Sequence, residues 1–580
     1  MSDVDFYRPT LEEIEGDEPF NDAEKRVIEE MRHGGVNFSD VLPDDNAEEP
    51  CIRGPLIRHL MLGGCEKAQV SRAGVTILGA TITGQLDFIG TQCTSDLALL
   101  NCKILSKPAF RDAKLKALYL DGSDCLGLDC SRMQTEGSVH LRNGFTARDR
   151  VDLKSTVIGG SLDCGAGYFD GSGSCAIDLH SAKIAADLFL VGGFNAVGEV
   201  KLDKLLLGGH LVCREAKFIA DGAVALSASS AQIGGNVLLV EDSNFTGQVN
   251  FFRAIVAEDM ICDGSVFQRE KRDGVASRRG GLDLEAVQIG RTCNLRFVSK
   301  LQGQLVFTDA QIGCLRDEKD TYVDLESLLI NGFRYDSLDS DMTPGQRIKW
   351  LAIKEEGKNR KTKHGNTMRD GFDPQPYSQL AKVYREQGAS ENAARILEAR
   401  DNQIWHSTYR RIHAEIDGSW QAGVSSIIAD FRYPGMWLFR WMFGYGHLPA
   451  RALWWAVGLV AMTACFFHVS YINHQMVPAS TQVLTSPEWI YAVETSDTPL
   501  LVWADSATSI GYPSFQPLYY AIDLLIPLNE LGYKAAWTPA SDRGWLGNLG
   551  SWIAPVVQLL GWMITSILAA ALTGVIGRKD

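Results

Sequence analysis

The first 349 residues of this 580-residue chain contain no tryptophan; all 13 lie at or after Trp350. Cysteine has the reverse distribution, with 12 of 13 at or before Cys314. Basic charge is also short. Fifty-six Lys and Arg against 71 Asp and Glu leave −15, which excludes a nucleic-acid affinity built on phosphate neutralisation. No CxxC pair and no Cys/His cluster with zinc spacing occurs, so the thiols read as reduced core residues. No GxGxxG stands between a strand and a helix, which removes the nucleotide-loop reading. Between about Leu78 and Leu315 no stretch has the 3.6-residue period of an amphipathic helix. The opening MSDVDFYRPTLEEIEGDEPF has neither a basic nor an apolar run, so no signal peptide is expected. Together these gaps predict two or three domains, joined from parts that face different solvents.

What is present is a repeated phrase. It reads Ile82-Thr-Gly-Gln-Leu86-Asp-Phe88, then Ile158-Gly-Gly-Ser-Leu162-Asp-Cys164, with later copies starting at Ile184, Leu207, Ile233, Val256, Ile289 and Ile312. From Ile158 the steps are 26, 23, 26, 23, 33 and 23 residues. Apolar and polar residues alternate inside each copy, as in a strand with one buried face. Gly at the corners is expected where the backbone bends sharply or takes positive φ. A short strand, a tight corner and a period of about 20–26 describe one coil of a right-handed β-helix or pentapeptide-like solenoid. The solenoid is assigned to 61–335, preceded by a capping segment over 1–60.

From 336 to 373 charge takes over, with Arg347, Lys349, Lys354, Lys358, Arg360, Lys361, Lys363 and Arg369; this reads as a basic linker. Residues 374–449 read as a helical adaptor. Its Pro376-to-Leu397 part has the start, Gly388 stop and Ser390 cap of a helical hairpin. Gly444, Gly446 and Pro449 mark a candidate hinge at its end.

Residues 450–580 form the membrane domain. Ala452 to about Ile472 carries no Asp, Glu, Lys or Arg, and about 550–577 is equally uncharged; each is long enough to cross hydrocarbon about 30 Å thick. Arg432, Arg440 and Arg451 precede the first span, and Arg578 and Lys579 follow the second. That bias predicts both termini in the cytoplasm and the connector outside or periplasmic. Within the connector, 515–532 holds an apolar stretch broken by Pro527, an ordering that suggests a re-entrant loop. Asp523, Asn529 and Glu530 are its candidate pore residues. The layout resembles the span–pore-helix–span unit of tetrameric cation channels, without a TVGYG-type filter. Ser566, Ala570 and Gly574 share one face of the second span and are candidate helix-packing residues.

Four further motifs stand at PYxxLAxxYRxxG, FGYGxxPxRAL, YYAIDxxxPLxxLG and LTGxIxR. With the Gly/Leu-rich repeats they resemble, over nearly the whole chain, bacterial proteins labelled membrane-associated oxidoreductase. The resemblance implies a membrane location and a redox activity. The residues themselves assign no catalytic, cofactor or metal site. The expectation from sequence is a cytoplasmic solenoid that senses or docks a protein or small-molecule ligand. It is carried by a two-span, homo-oligomeric and ion-channel-like domain in the lipid bilayer. A membrane-anchored scaffold is the alternative, and the redox activity a further one.

Overall fold

The computed structural model describes residues 8–39, 49–268, 271–272, 275–276, 281–352, 372–414, 430, 432–437, 439–442, 444–447, 450–526 and 531–572. The chain divides into two compact units, 1–369 with 375–387, and 370–374 with 388–580.

Residues 74–340 of the first unit form a β-solenoid of about 11 turns. Strand pairing between coils is parallel, and the register follows the repeated phrase. Ile158 pairs with Ile184, then Leu207, Ile233, Val256, Ile289 and Ile312. These residues point inward and are buried, while the residue before each is exposed in the alternation expected of a pleated strand. The later apolar position of the phrase makes a second ladder, Leu162, Leu188, Leu211, Val237, Met260 and Cys293. The copy at Ile82 belongs elsewhere. Its strand Thr81–Thr83 pairs with Lys103–Ile104 in the other large sheet, where the same alternation also serves. Along the interior Phe145, Phe169, Phe194, Phe218, Phe245 and Phe267 stack ring on ring at 4.6–5.6 Å between centroids. Each such pair contributes about 0.5–1.5 kcal/mol beyond its buried area.

The corners correct one expectation. Gly159, Gly208, Gly234 and Gly290 do not have positive φ. They are glycine because a Cβ there would stand 2.1–2.3 Å from a carbonyl oxygen of the coil before. The left-handed residues lie at another corner and are mostly not glycine: Arg132, Ser155, Ser181, Arg253 and Ala286, with φ of +53 to +57°. Each follows by three positions an Asp or Asn whose side chain accepts the backbone N–H two residues on, as Asp152 accepts from Lys154 at 3.1 Å. These side-chain turns offset the cost of about 1–2 kcal/mol for a non-glycine residue in that region.

Both ends of the stack are closed. At the start, helices α1 (Leu11–Glu15), α2 (Asp22–Glu30) and α3 (Gly54–Met61) sit beside the first coils, and Glu24 takes a bidentate pair from Arg53 at 2.8 and 2.9 Å. At the far end lies α4 (Pro344–Leu351), begun by a capping box between Thr343 and Gln346. Its Arg347, read from sequence as part of the basic linker, is 1% exposed and pairs in bidentate fashion with Asp317, itself 0% exposed, at 2.7 and 2.9 Å. Tyr322 donates its hydroxyl to the same carboxylate, and Trp350 lies 4.8 Å beneath the guanidinium. The polar partners of Asp317 explain why a charge run on the sequence holds one buried arginine. The rest of that run, from Lys354 to Arg369, lies outside the described residues.

Helix α5 (Gln375–Glu386) caps the last strand, Arg334–Ser340. Gln375, Gln379 and Gln387 donate side-chain N–H groups to the carbonyls of Phe333, Tyr335 and Leu338 at 2.6–2.9 Å. Three amides thus stand in for the coil that would come next. This unit ends at Gln387, and Gly388, with φ of +79°, begins the next stretch.

The second unit contains α6 (Ser390–Ala414), α7 (Ala450–Ile472), α8 (Thr481–Leu484), α9 (Pro487–Thr495), α10 (Pro499–Ala504), α11 (Pro517–Leu525), α12 (Tyr533–Ala536) and α13 (Trp545–Leu572). Arg451–Ile472 and Trp545–Ser566, of 22 residues each, are long and apolar enough to cross a membrane, with mean hydropathies of 1.7 and 1.2 over an 18-residue window.

Candidate functional site

Helices α7 and α13 run antiparallel. At the connector end a Cβ on Gly550 would touch the Phe467 ring at 3.3 Å, and at the other end Ala452 and Ile564 share an apolar cluster. The connector folds over its end of this hairpin. Strand Met476–Pro478 pairs with Trp537–Pro539, and Trp537 packs on Tyr471 and donates its indole N–H to the Pro513 carbonyl.

From Pro513 the chain turns inward. Phe515 stacks on Tyr471, Tyr520 meets Phe467 at 4.9 Å, and α11 then follows the two long helices. Its last carbonyl, on Leu525, stands 2.1 Å from where a Cβ of Gly561 would be. Gly561 follows Trp545 by sixteen positions, about 24 Å along α13 at 1.5 Å per residue. The same cluster reaches Ala456 and Leu459 on α7. By Trp537 the chain is back at the connector end. Only glycine at 561 lets a backbone approach so closely, and the apolar context of a long helix hid that role in the sequence.

Asp523 is 1% exposed and holds the return segment to α11. Its two carboxylate oxygens accept the backbone N–H groups of Leu531 at 3.0 Å and Lys534 at 2.8 Å. Asn529 and Glu530 lie outside the described residues. Ser566 is exposed on α13, Ala570 lies in the same helix, and Gly574 is outside the described residues.

Of the candidate hinge, Gly444 and Gly446 bound a single 3-10 turn, with Tyr445 left-handed between them, and Pro449 is outside the described residues. Charged groups on α6 tie down the flanks of that turn. Glu398 lies 3.5 Å from Arg440 and 3.3 Å from Arg451, Asn402 accepts from Arg440 at 3.0 Å, and His447 meets Asp401 at 2.9 Å. Burial acts to raise the Asp401 carboxyl, but hydrogen bonds from His447 and Arg400 outweigh it and hold the group below its ordinary value.

Open clefts interrupt the outer surface of the solenoid. One of about 350 Å³ is lined by Arg150, Lys154, Asp178, His180, Glu199 and Lys201. Asp178 there pairs with both Arg150 and Lys154, and burial raises the Glu199 carboxyl above its ordinary value. Another, of about 380 Å³, lies over Ala257, Gly290 and Gly313 and is flanked by Gln288, Gln311 and Arg334. Every cysteine is a free thiol, and most are buried in the coils. Among the described residues no group of three or more His, Cys, Asp or Glu is placed to hold a metal ion.

Set against known protein families, curated proteins and solved structures, the chain matches none.

Proposed function

We propose that this is a bacterial inner-membrane protein whose two spans and inward-turning α11 build an oligomeric pore, with the solenoid as its cytoplasmic sensing or docking domain. The observation that carries the reading is the course of 513–526 and 531–537, which leaves the connector end, reaches Gly561 and is back at that end by Trp537. Backbone that ends a helix inside hydrocarbon needs protein or water around it, because lipid offers no hydrogen bonds. Several copies set around an axis supply both. Orientation rests on Arg432, Arg440, Arg451, Arg578 and Lys579 flanking the spans, and the free thiols of the solenoid suit a reducing compartment.

Asp523 favours a second reading. Its carboxylate is already occupied by its own loop, as it would be in a scaffold that merely anchors the solenoid. Full-length protein reconstituted in planar bilayers separates the two. Conductance that Gly561→Leu abolishes supports the pore; silent bilayers together with a monomer in detergent support the scaffold. The redox activity implied by resemblance has its own measurement, the absorbance spectrum of the purified protein, where a bound chromophore supports it and a colourless preparation that binds no nicotinamide nucleotide rejects it.

A further inference from the structure

The connector carries an apolar face that its own core does not use. Helices α9 and α10 pack through Trp489, Ala492, Leu500 and Trp503, the two indoles meeting edge-on at 5.8 Å. Around the rest of these helices Ile490, Tyr491 and Val493 on α9 and Leu501 on α10 are exposed, with Ile510 just beyond. Tyr491 is 63% exposed and Ile510 is 83% exposed. Apolar groups gathered in this way mark a surface that something else covers.

Position and charge decide what covers it. The segment is held to the ends of both spans, at α7 by the short strand Met476–Pro478 and at α13 by the Gln475 side chain, which accepts the Gly547 N–H at 2.7 Å. The exposed apolar faces of the spans continue toward it through Val469 and Ile472 on one side and Trp552, Leu549 and Trp545 on the other. No Asp, Glu, Lys or Arg occurs between Arg451 and Glu488 to interrupt that surface. The charges set in and around the face are all acidic, Glu494 on the same side of α9 as Ile490 and Tyr491, with Asp497 and Asp505 beyond the helix ends, and no Lys or Arg occurs between Arg451 and Lys534. Anionic headgroups would be repelled by such a rim, whereas zwitterionic ones would not.

We infer that α9, α10 and Ile510 form an interfacial anchor seated in the headgroup layer of zwitterionic phospholipid at the connector end of the spans. Tyr491 suits that layer, where an amphipathic ring has an apolar and a wet side. The anchor would fix the depth of the connector, and through it the depth of α11. It rests on the reading that α7 and α13 cross the bilayer.

The test uses full-length protein in phosphatidylcholine nanodiscs. The five thiols that are not buried (Cys51, Cys65, Cys175, Cys314 and Cys465) are replaced by serine. A bimane is then placed by Ile510→Cys or by Val556→Cys, both exposed positions that leave the core untouched. Nitroxide lipids labelled near the headgroup or deep in the acyl chain serve as quenchers. At Ile510→Cys the headgroup label should quench about twofold more than the deep one, with the order reversed at Val556→Cys. Exchanging half of the lipid for phosphatidylglycerol should weaken quenching at Ile510→Cys only. Loss of quenching at Val556→Cys would overturn the membrane reading itself. Quenching there with none at Ile510→Cys overturns the anchor alone, as does disulfide-linked dimer formation through Cys at 510, which would give the face to a second copy. Equal quenching at 510 in both lipids overturns the preference for zwitterionic headgroups.

Discussion

Phe218 and Trp503 are both buried aromatic residues, held in different ways. Phe218 lies between Phe194 at 5.3 Å and Phe245 at 4.6 Å, the same residue type one coil to either side. Trp503 meets Trp489 and Tyr512 edge-on and spends its indole N–H on Thr508 at 3.1 Å, with no repeat around it. In the solenoid every coil offers its neighbours the same surface, so stability is nearly a sum of like interfaces. In the second unit each contact is made once. A disturbance shared by many coils should therefore add up in the first unit and leave the second unmoved.

Alkali is such a disturbance, and it should produce the largest effect. Burial raises the thiols of Cys125, Cys130, Cys164, Cys213, Cys262 and Cys293, to about 12 for Cys125 and Cys262. These groups are neutral when folded and free to ionise when unfolded. Above about pH 8.5 the unfolded chain thus binds fewer protons, and stability falls as pH rises toward the folded values. At pH 10 each thiol should subtract about 2 kcal/mol. Denaturation of the solenoid at pH 8 and pH 10 measures the loss, and Cys213→Ala should shrink the difference by about one thiol's share. An unchanged difference would mean that the thiols are not sealed in the coils.

Next in size is the far-end closure. Asp317→Ala leaves Arg347 buried without its partner, and breaking a buried pair this way costs about 3–5 kcal/mol. Hydrogen exchange should show the last coils opening while α7 and α13 keep their protection. Equal loosening of both units would dissolve the distinction between them.

The same contrast explains what could be read in advance. Ile158, Ile184 and Ile233 announce a solenoid because repetition makes one contact visible many times over. Arg347 could not be placed, since a single charge on the sequence carries no sign that Asp317 waits 30 positions earlier. The corner glycines were visible but their cause was not: close approach and positive φ favour the same residue, and only the coil-to-coil distance separates them. The two long helices α7 and α13 were legible as uncharged lengths, and α11 as a short apolar piece. Its meeting with Gly561 was not, because that contact occurs once.

Gly561→Val tests that single contact. The added carbons would meet the Leu525 carbonyl, and overpacking of this kind costs about 1–3 kcal/mol. Amide exchange over 517–525 should quicken by about tenfold for each 1.4 kcal/mol, with the solenoid unchanged. Unaltered exchange would place α11 away from α13.

The smallest effect is the most discriminating, because it concerns where one unit ends. Read from sequence, α5 is the first half of a helical hairpin and belongs with the adaptor. Its glutamines instead face the solenoid's last strand, and Gln379 donates to the Tyr335 carbonyl at 2.6 Å. Gln379→Leu keeps the helix and most of the side-chain volume, removes one donor, and leaves a strand carbonyl to find water. A single hydrogen bond of this sort is worth about 0.5–1.5 kcal/mol. The loss should appear in exchange at 334–340, the last strand, and nowhere in α6. If α6 loosens and the last strand does not, α5 is an adaptor helix after all and the solenoid must be closed by α4 alone. Gln375→Leu, which removes the donor to Phe333 and the acceptor of the Gly332 N–H, should loosen the residues just before that strand by somewhat more. The two substitutions together should add, since each amide serves a different carbonyl.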